Sequence, residues 1–132
     1  MQVTMEADYA VRIVHYLSKT GERADARTIS RGTAVTLRFA LKILRKLAGC
    51  GIVESHVGAG GGYSLAMRPD QISLLSVIEA VEGPVRINRC LAGDGVCTRV
   101  GDKDECPMHR AFDGVNRLLT ERLSEIKFDS FI

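Results

Sequence analysis

Residues 52–67 constrain the fold more than any other stretch of this 132-residue chain. They read IVESHV, a tip rich in glycine at 58, 60, 61 and 62, and GYSLAM, which is the pattern of two short strands joined in a hairpin. The hairpin follows directly on TLRFALKILRKLAG, in which Leu37, Ala40, Leu41, Leu44 and Leu47 recur as an apolar helical stripe. Thr36 opens that helix, Gly49 and Gly51 supply its stop, and its other face carries Arg38, Lys42, Arg45 and Lys46. Upstream, Thr4 caps a first helix with Tyr9, Ala10, Ile13, Val14 and Leu17 on one face, ended by Gly21. Asp25 caps a short second helix through Ser30, which Gly32 breaks. Two such helices joined by a tight turn form a helix-turn-helix whose second helix enters a DNA major groove, and the added hairpin makes it a winged helix.

Charge agrees with that placement. The net charge is only +2, but residues 1–68 hold ten Lys or Arg against five Asp or Glu, while residues 69–132 hold eight against eleven. A polyanion therefore docks on the amino-terminal half. The glycine run is not a phosphate loop: no Lys-Ser or Lys-Thr follows it, and it leads into a strand rather than a helix. The first twenty residues carry Glu6, Asp8 and Arg12 where a secretory signal would be apolar, and no run reaches membrane-spanning length. The expectation is a soluble, cytoplasmic protein with no membrane partner.

Beyond Pro69, Ser73 caps SLLSVIEAVEG, with Leu74, Val77, Ile78 and Val81 on one side. Pro107 then stands in the first turn of a helix that runs to about Lys127. Its apolar positions Met108, Phe112, Val115, Leu119 and Ile126 follow a near-heptad spacing. A helix projecting from a small winged domain has little of its own chain to pack on, so dimerisation is the natural solution; burial within the chain is the other. Two heads suit a palindromic operator on double-stranded DNA. The fold class is thus mainly α: a winged helix-turn-helix domain (1–83), a cysteine-rich loop (84–106) and a dimerisation helix with a carboxy-terminal tail (107–132).

Between the two helical stretches lie Cys90, Cys97, Cys106 and His109, spaced Cys-x6-Cys-x8-Cys-x2-His, with Gly93, Gly95 and Gly101 letting the loop fold back. Thiolates favour iron-sulfur clusters, zinc or copper(I). These cysteines alternate with Asp94, Arg99, Asp102, Lys103, Asp104 and Glu105, which argues against a packed apolar site. A thiol redox switch is the other chemistry open to them. Cys50, between Gly49 and Gly51, has no second ligand near it in sequence and reads as structural, and His15 reads as packing or surface. No cysteine has a base and orienting partner beside it, so the chain does not read as an enzyme.

Five pieces in this order carry a resemblance: VTMEADYAVRIVHYL, TLRFALKILRKLAGCGIV, GAGGGYSL, ISLLSVIEAVEGP followed by NRC, and CPMH. Over essentially the whole chain, the sequence resembles the Rrf-two family of bacterial transcription regulators, which includes iron-sulfur proteins. The resemblance implies a homodimeric winged-helix repressor or activator that senses iron, redox state or nitric oxide through a 2Fe-2S or 4Fe-4S cluster, with Cys90, Cys97 and Cys106 as ligands. In IscR-like members the fourth ligand is a histidine, which corresponds to His109. In NsrR-like members it is an aspartate of the other chain, which corresponds to Asp8 of the partner subunit. His109 stands one helical turn from Cys106, whereas an aspartate is a harder, more easily displaced ligand. A structural Cys3His zinc site uses the same donor types.

DNA contacts are expected from Thr36, Arg38, Lys42 and Arg45 on the recognition helix and from Gly60 and Gly61 at the wing tip. Two departures from the family stand out. The loop spacings are longer than in its best-known members, and the arginine that many relatives carry just before the wing glycines is here Val57, preceded by His56. Tyr63 is expected to anchor the wing.

Overall fold

The computed structural model describes residues 2–93, 97 and 101–132. Gly95, Asp94 and Arg99 of the expected loop lie outside the described residues.

Local capping chemistry starts each helix of the amino-terminal body. The Thr4 hydroxyl accepts the Ala7 N–H at 3.1 Å to open α1 (Met5–Thr20), which ends on Gly21 at φ 66°. Asp25 accepts the Thr28 N–H at 2.7 Å and opens α2 (Ala26–Thr33). Thr36 opens α3 (Leu37–Gly49), and Ser73 opens α4 (Leu74–Glu82) through a reciprocal capping box with Ser76. Ala10, Ile13, Val14 and Leu17 of α1 and Val77, Ile78 and Val81 of α4 are buried, as their spacing predicts.

Two expectations need correction. Gly32 does not break α2: the helix runs through it and ends at Ala34, which takes the left-handed conformation at φ 57°. A Cβ at position 32 would lie 2.3 Å from Cε2 of Tyr16, so the glycine lets α2 press against α1. Leu41 is exposed, and the buried stripe of α3 is Ala40, Ile43, Leu44 and Leu47. Those four recur at steps of three, one and three, and Leu41 lies about 100° around the helix from Ala40.

The wing is β1 (Val53–His56) paired antiparallel with β2 (Gly62–Leu65), with Val53 opposite Leu65 and His56 opposite Gly62. Ala24, in the turn between α1 and α2, exchanges both backbone hydrogen bonds with Tyr63, at 3.0 and 2.8 Å. Gly62 sits at φ 130°, and a Cβ there would meet the Ala24 carbonyl at 2.6 Å, so only glycine permits this junction. The Tyr63 side chain packs on the core, as expected of an anchor.

α5 (Pro107–Glu125) stops two residues before Lys127, and none of its residues is buried. The chain then turns back. The Leu74 N–H donates to the Ile126 carbonyl at 2.9 Å, and the Phe128 N–H donates to the Ile72 carbonyl at 3.0 Å. Phe128 is fully buried in the shared core of α1, α3 and α4, and its ring meets Phe131 edge-on at 5.5 Å. Burying a phenylalanine contributes about 1.5–3 kcal/mol.

Candidate functional site

Two candidate surfaces emerge from these elements. The first is the outer face of α3. With Ala40, Ile43, Leu44 and Leu47 turned inward, Arg38, Lys42 and Arg45 fall on the exposed side. Arg38 and Arg45 make no ion pair among the described residues. Lys42 and Lys46 are different: both reach Glu6 of α1, at 3.8 and 2.7 Å, and Lys46 also donates to the Val81 carbonyl of α4 at 3.2 Å. Lys46 thus braces the recognition helix against its own domain, and Lys42 is partly neutralised. Thr36 uses an oxygen lone pair to cap Phe39 at 3.4 Å, which leaves its hydroxyl proton available to donate. Phe39 meets Tyr9 edge-on at 5.9 Å, a second brace between α3 and α1.

At the wing tip, Gly61 is held by its N–H to the Gly58 carbonyl at 3.0 Å, and a Cβ there would come within 2.9 Å of two backbone carbonyls. Gly60 is exposed, and its carbonyl accepts a hydrogen bond from Arg23 Nη1. His56 points back along the sheet to Ser64 Oγ at 2.8 Å, while Val57 is 94% exposed.

The second surface is a cavity of about 190 Å³ lined by Cys90, Cys97, Cys106 and His109 together with Asn88, Lys103, Met108 and Phe112. The four residues singled out by spacing therefore face one space. All four cysteines of the chain are thiols rather than disulfides, and Cys50 is exposed at the end of α3, away from this cavity. Two elements set the cavity's wall. Cys106 is the N-cap of α5, with Pro107 in the first turn, and this puts His109 on the same side one turn on. Asn88 caps a short 3-10 turn, Arg89–Leu91, that carries Cys90.

His109 Nδ1 is buried with no hydrogen-bond partner among the described residues. An unsatisfied buried nitrogen costs about 1–3 kcal/mol, and a soft metal would accept its lone pair. Among the described residues, no three His, Cys, Asp or Glu side chains converge on one point closely enough for a single ion. The four donors line one space, and their types fit an iron-sulfur cluster and a Cys3His zinc site alike. Asp8 is exposed on α1, where its carboxylate pairs with Arg12 of the same helix at 2.7 Å.

Sequence reasoning missed two residues that hold this cavity in place. Lys103 Nζ donates to the carbonyls of Cys90 and Ala92, both at 3.2 Å, stapling the two sides of the loop together. Asn116, in the middle of α5, accepts the Ile87 N–H and donates to the Val85 carbonyl, each at 3.0 Å. Glu79 of α4 takes the Val85 N–H at 2.9 Å. The segment leading to Cys90 is thus pinned between α4 and α5. A lone lysine among Asp102, Asp104 and Glu105 was a signal available in the sequence; Asn116 offered none.

The comparisons with known proteins agree with this architecture. Residues 3–132 match the Rrf2 (Rrf-two) family model, described as iron-dependent transcriptional regulators. The HTH-type transcriptional regulator NsrR of Bacillus subtilis is 28% identical over 100 residues, 74% of this chain and 68% of that protein. The HTH-type transcriptional regulator IscR of Aliivibrio salmonicida is 30% identical over 97 residues, 72% of this chain and 58% of that protein. Among solved structures, CymR, the global cysteine regulator of B. subtilis, superposes with a TM-score of 0.77 at 21% identity, covering 99% of this chain and 95% of the other, which speaks to fold. Among the described residues no helix is long and apolar enough to cross a membrane. With a family match across nearly its whole length and a winged-helix fold beneath it, the chain belongs to the Rrf2 family of transcriptional regulators.

Proposed function

We propose that this protein is a DNA-binding transcription regulator that acts as a homodimer on a palindromic operator and senses iron, redox state or nitric oxide through an iron-sulfur cluster held by Cys90, Cys97, Cys106 and His109. The observation that carries the sensing half is the buried, partnerless His109 Nδ1 in a cavity shared with three cysteines. It favours His109 as fourth ligand; the alternative, Asp8 of the partner subunit, would have to leave only an exposed ion pair with Arg12, which costs little. Bound there, the cluster would supply a redox-active and ligand-exchangeable centre whose potential an imidazole ligand raises. The chain's own residues do the rest. Lys103 holds the Cys90 and Ala92 side of the loop, and its ammonium offsets the negative charge that three thiolates bring into a small space. Asn116 and Glu79 connect that loop to α5 and α4. A change in ligation would thereby reach the core on which α3 sits.

On the DNA side, Thr36, Arg38, Lys42 and Arg45, with Gly60 and Gly61 at the wing, form the docking surface. The exposed apolar stripe of α5 supports a homodimer that pairs two such surfaces.

Anaerobic purification followed by a visible spectrum and iron and sulfide analysis tests the cofactor. A brown protein whose His109→Ala variant shifts the spectrum or loses iron is expected; a colourless protein with stoichiometric zinc overturns the cluster. For the DNA surface, Arg45→Ala should weaken operator binding by about 1–3 kcal/mol and Lys42→Ala by less, given the pairing of Lys42 with Glu6. Normal binding by both variants overturns the assignment of the recognition face.

A further inference from the structure

The wing of this chain has no cation of its own. From Val57 to Gly62 the tip reads Val-Gly-Ala-Gly-Gly-Gly, and the residue just before it, His56, is turned back to Ser64. Yet a guanidinium does stand at the tip. Arg23, in the turn between α1 and α2, donates from Nη1 to the Gly60 carbonyl, and Gly60 is close enough that a Cβ there would lie 3.5 Å from that nitrogen. The position is built into the sheet: Ala24, the next residue, exchanges two backbone hydrogen bonds with Tyr63 of β2, so the base of the arginine moves with the wing. Glu22, Asp25 and Thr28 line the same hollow as Arg23, Gly60 and Gly61. Neither carboxylate forms an ion pair with Arg23 among the described residues, and Asp25 is occupied in capping α2.

We infer that Arg23, a residue outside the wing, is the wing's minor-groove reader, delivered to the tip by the Gly60 carbonyl. The physical reasons run together. A guanidinium has five N–H donors, Arg23 spends one of them on Gly60, and its exposed position leaves the side chain open to a further ligand. Gly60 and Gly61 have no side chains to hold the tip away from the groove walls. A narrow A·T-rich minor groove concentrates negative potential and attracts an arginine without any specific base hydrogen bond. Glu22 and Asp25 disfavour a phosphate in the hollow they line with Arg23, so a groove of negative potential at the exposed tip is the better partner for the cation. The consequence is a preference for A·T base pairs beneath the wing, added to whatever α3 reads in the major groove. This inference rests on the DNA-binding reading above.

The test uses the full chain, purified anaerobically, and duplexes that the wild-type protein recovers from a randomised pool. These are then remade with A·T or G·C pairs only in the flank under the wing. Arg23→Ala should bind roughly tenfold more weakly, with a salt slope smaller by about one, and should lose the preference between flanks. Arg23→Lys should keep most of the salt slope and lose part of the preference. Adding Val57→Arg to Arg23→Ala should restore both, which also shows that the altered protein is folded. Unchanged affinity, slope and flank preference in Arg23→Ala overturns the inference, as does weaker binding with the preference intact, which would make Arg23 a phosphate contact only. If the wild-type chain recovers no duplex at all, it is the DNA-binding reading that fails.

Discussion

α1 and α5 are the two long helices, of sixteen and nineteen residues; the first buries six side chains and the second buries none. Both are amphipathic. α1 lies at the centre of the body, packed by α2, α3, α4 and the carboxy-terminal turn. Along α5, Met108, Phe112, Val115, Leu118 and Leu119 are 37–68% exposed. Helical stability in water comes mostly from packing an apolar face; that of α1 is satisfied within this chain, whereas much of the stripe of α5 stays exposed among the described residues.

The contrast can be broken at several points. The largest effect belongs to Phe128→Ala, which should cost about 3–5 kcal/mol in chemical denaturation; a loss below ~1 kcal/mol would mean that the tail does not belong to the body. Val115→Glu probes the other side. Sedimentation should show the dimer dissociation constant rising by about thirtyfold or more, near 2 kcal/mol, with helical circular dichroism retained. A variant that stays dimeric would send the stripe of α5 elsewhere.

A smaller effect sharpens the contact between α1 and α2. Helix propensity alone makes Gly32→Ala stabilising by up to about 1 kcal/mol, but overlap with the Tyr16 ring should reverse the sign, to a net cost of roughly 1 kcal/mol. Adding Tyr16→Ala should remove that penalty, and a double-mutant cycle without coupling would refute the close approach. The smallest change is in pH dependence. The Thr28 N–H and then its hydroxyl hold the Asp25 carboxyl below its ordinary value of 3.8. A carboxyl depressed on folding contributes stability above its unfolded value, and that contribution is lost as pH falls through the folded one. Stability of the wild type relative to Asp25→Asn should therefore be constant above about pH 5 and decline at lower pH. A difference that stays flat into acid would remove the charge from the cap.

How far each feature was legible depended on the range of the interaction behind it. Thr4, Asp25, Thr36 and Ser73 cap the helices they were read to cap, because a cap joins residues three apart. The hairpin was equally plain. Gly32 misled because its purpose is a tertiary approach, which in sequence looks the same as a helix break. Leu41 misled because a pattern of four leucines left the stripe's edge ambiguous, and Ile43 resolves it. Glu6 meeting Lys46, Asn116 meeting Val85 and Ile87, and Phe128 entering a core built from residues far upstream carry no local pattern at all. For the cysteine cavity, spacing named the four side chains that line it; the buried His109 Nδ1 with no hydrogen-bond partner among the described residues needed coordinates.

The hydrogen bonds that fasten Ile126 and Phe128 to Leu74 and Ile72 have an entropic meaning. They bring the two ends of a long excursion of chain, through α4, the cysteine loop and α5, to one place. Loop-closure entropy grows only with the logarithm of length, so most of its cost falls on joining the ends at all. Folding of the body meets that cost in the chain itself. The cluster proposed at Cys90, Cys97 and Cys106 would then have to restrict only the short inner loop. On that reading, a tail cut before Phe128 would weaken cluster retention from a distance, without touching a proposed ligand.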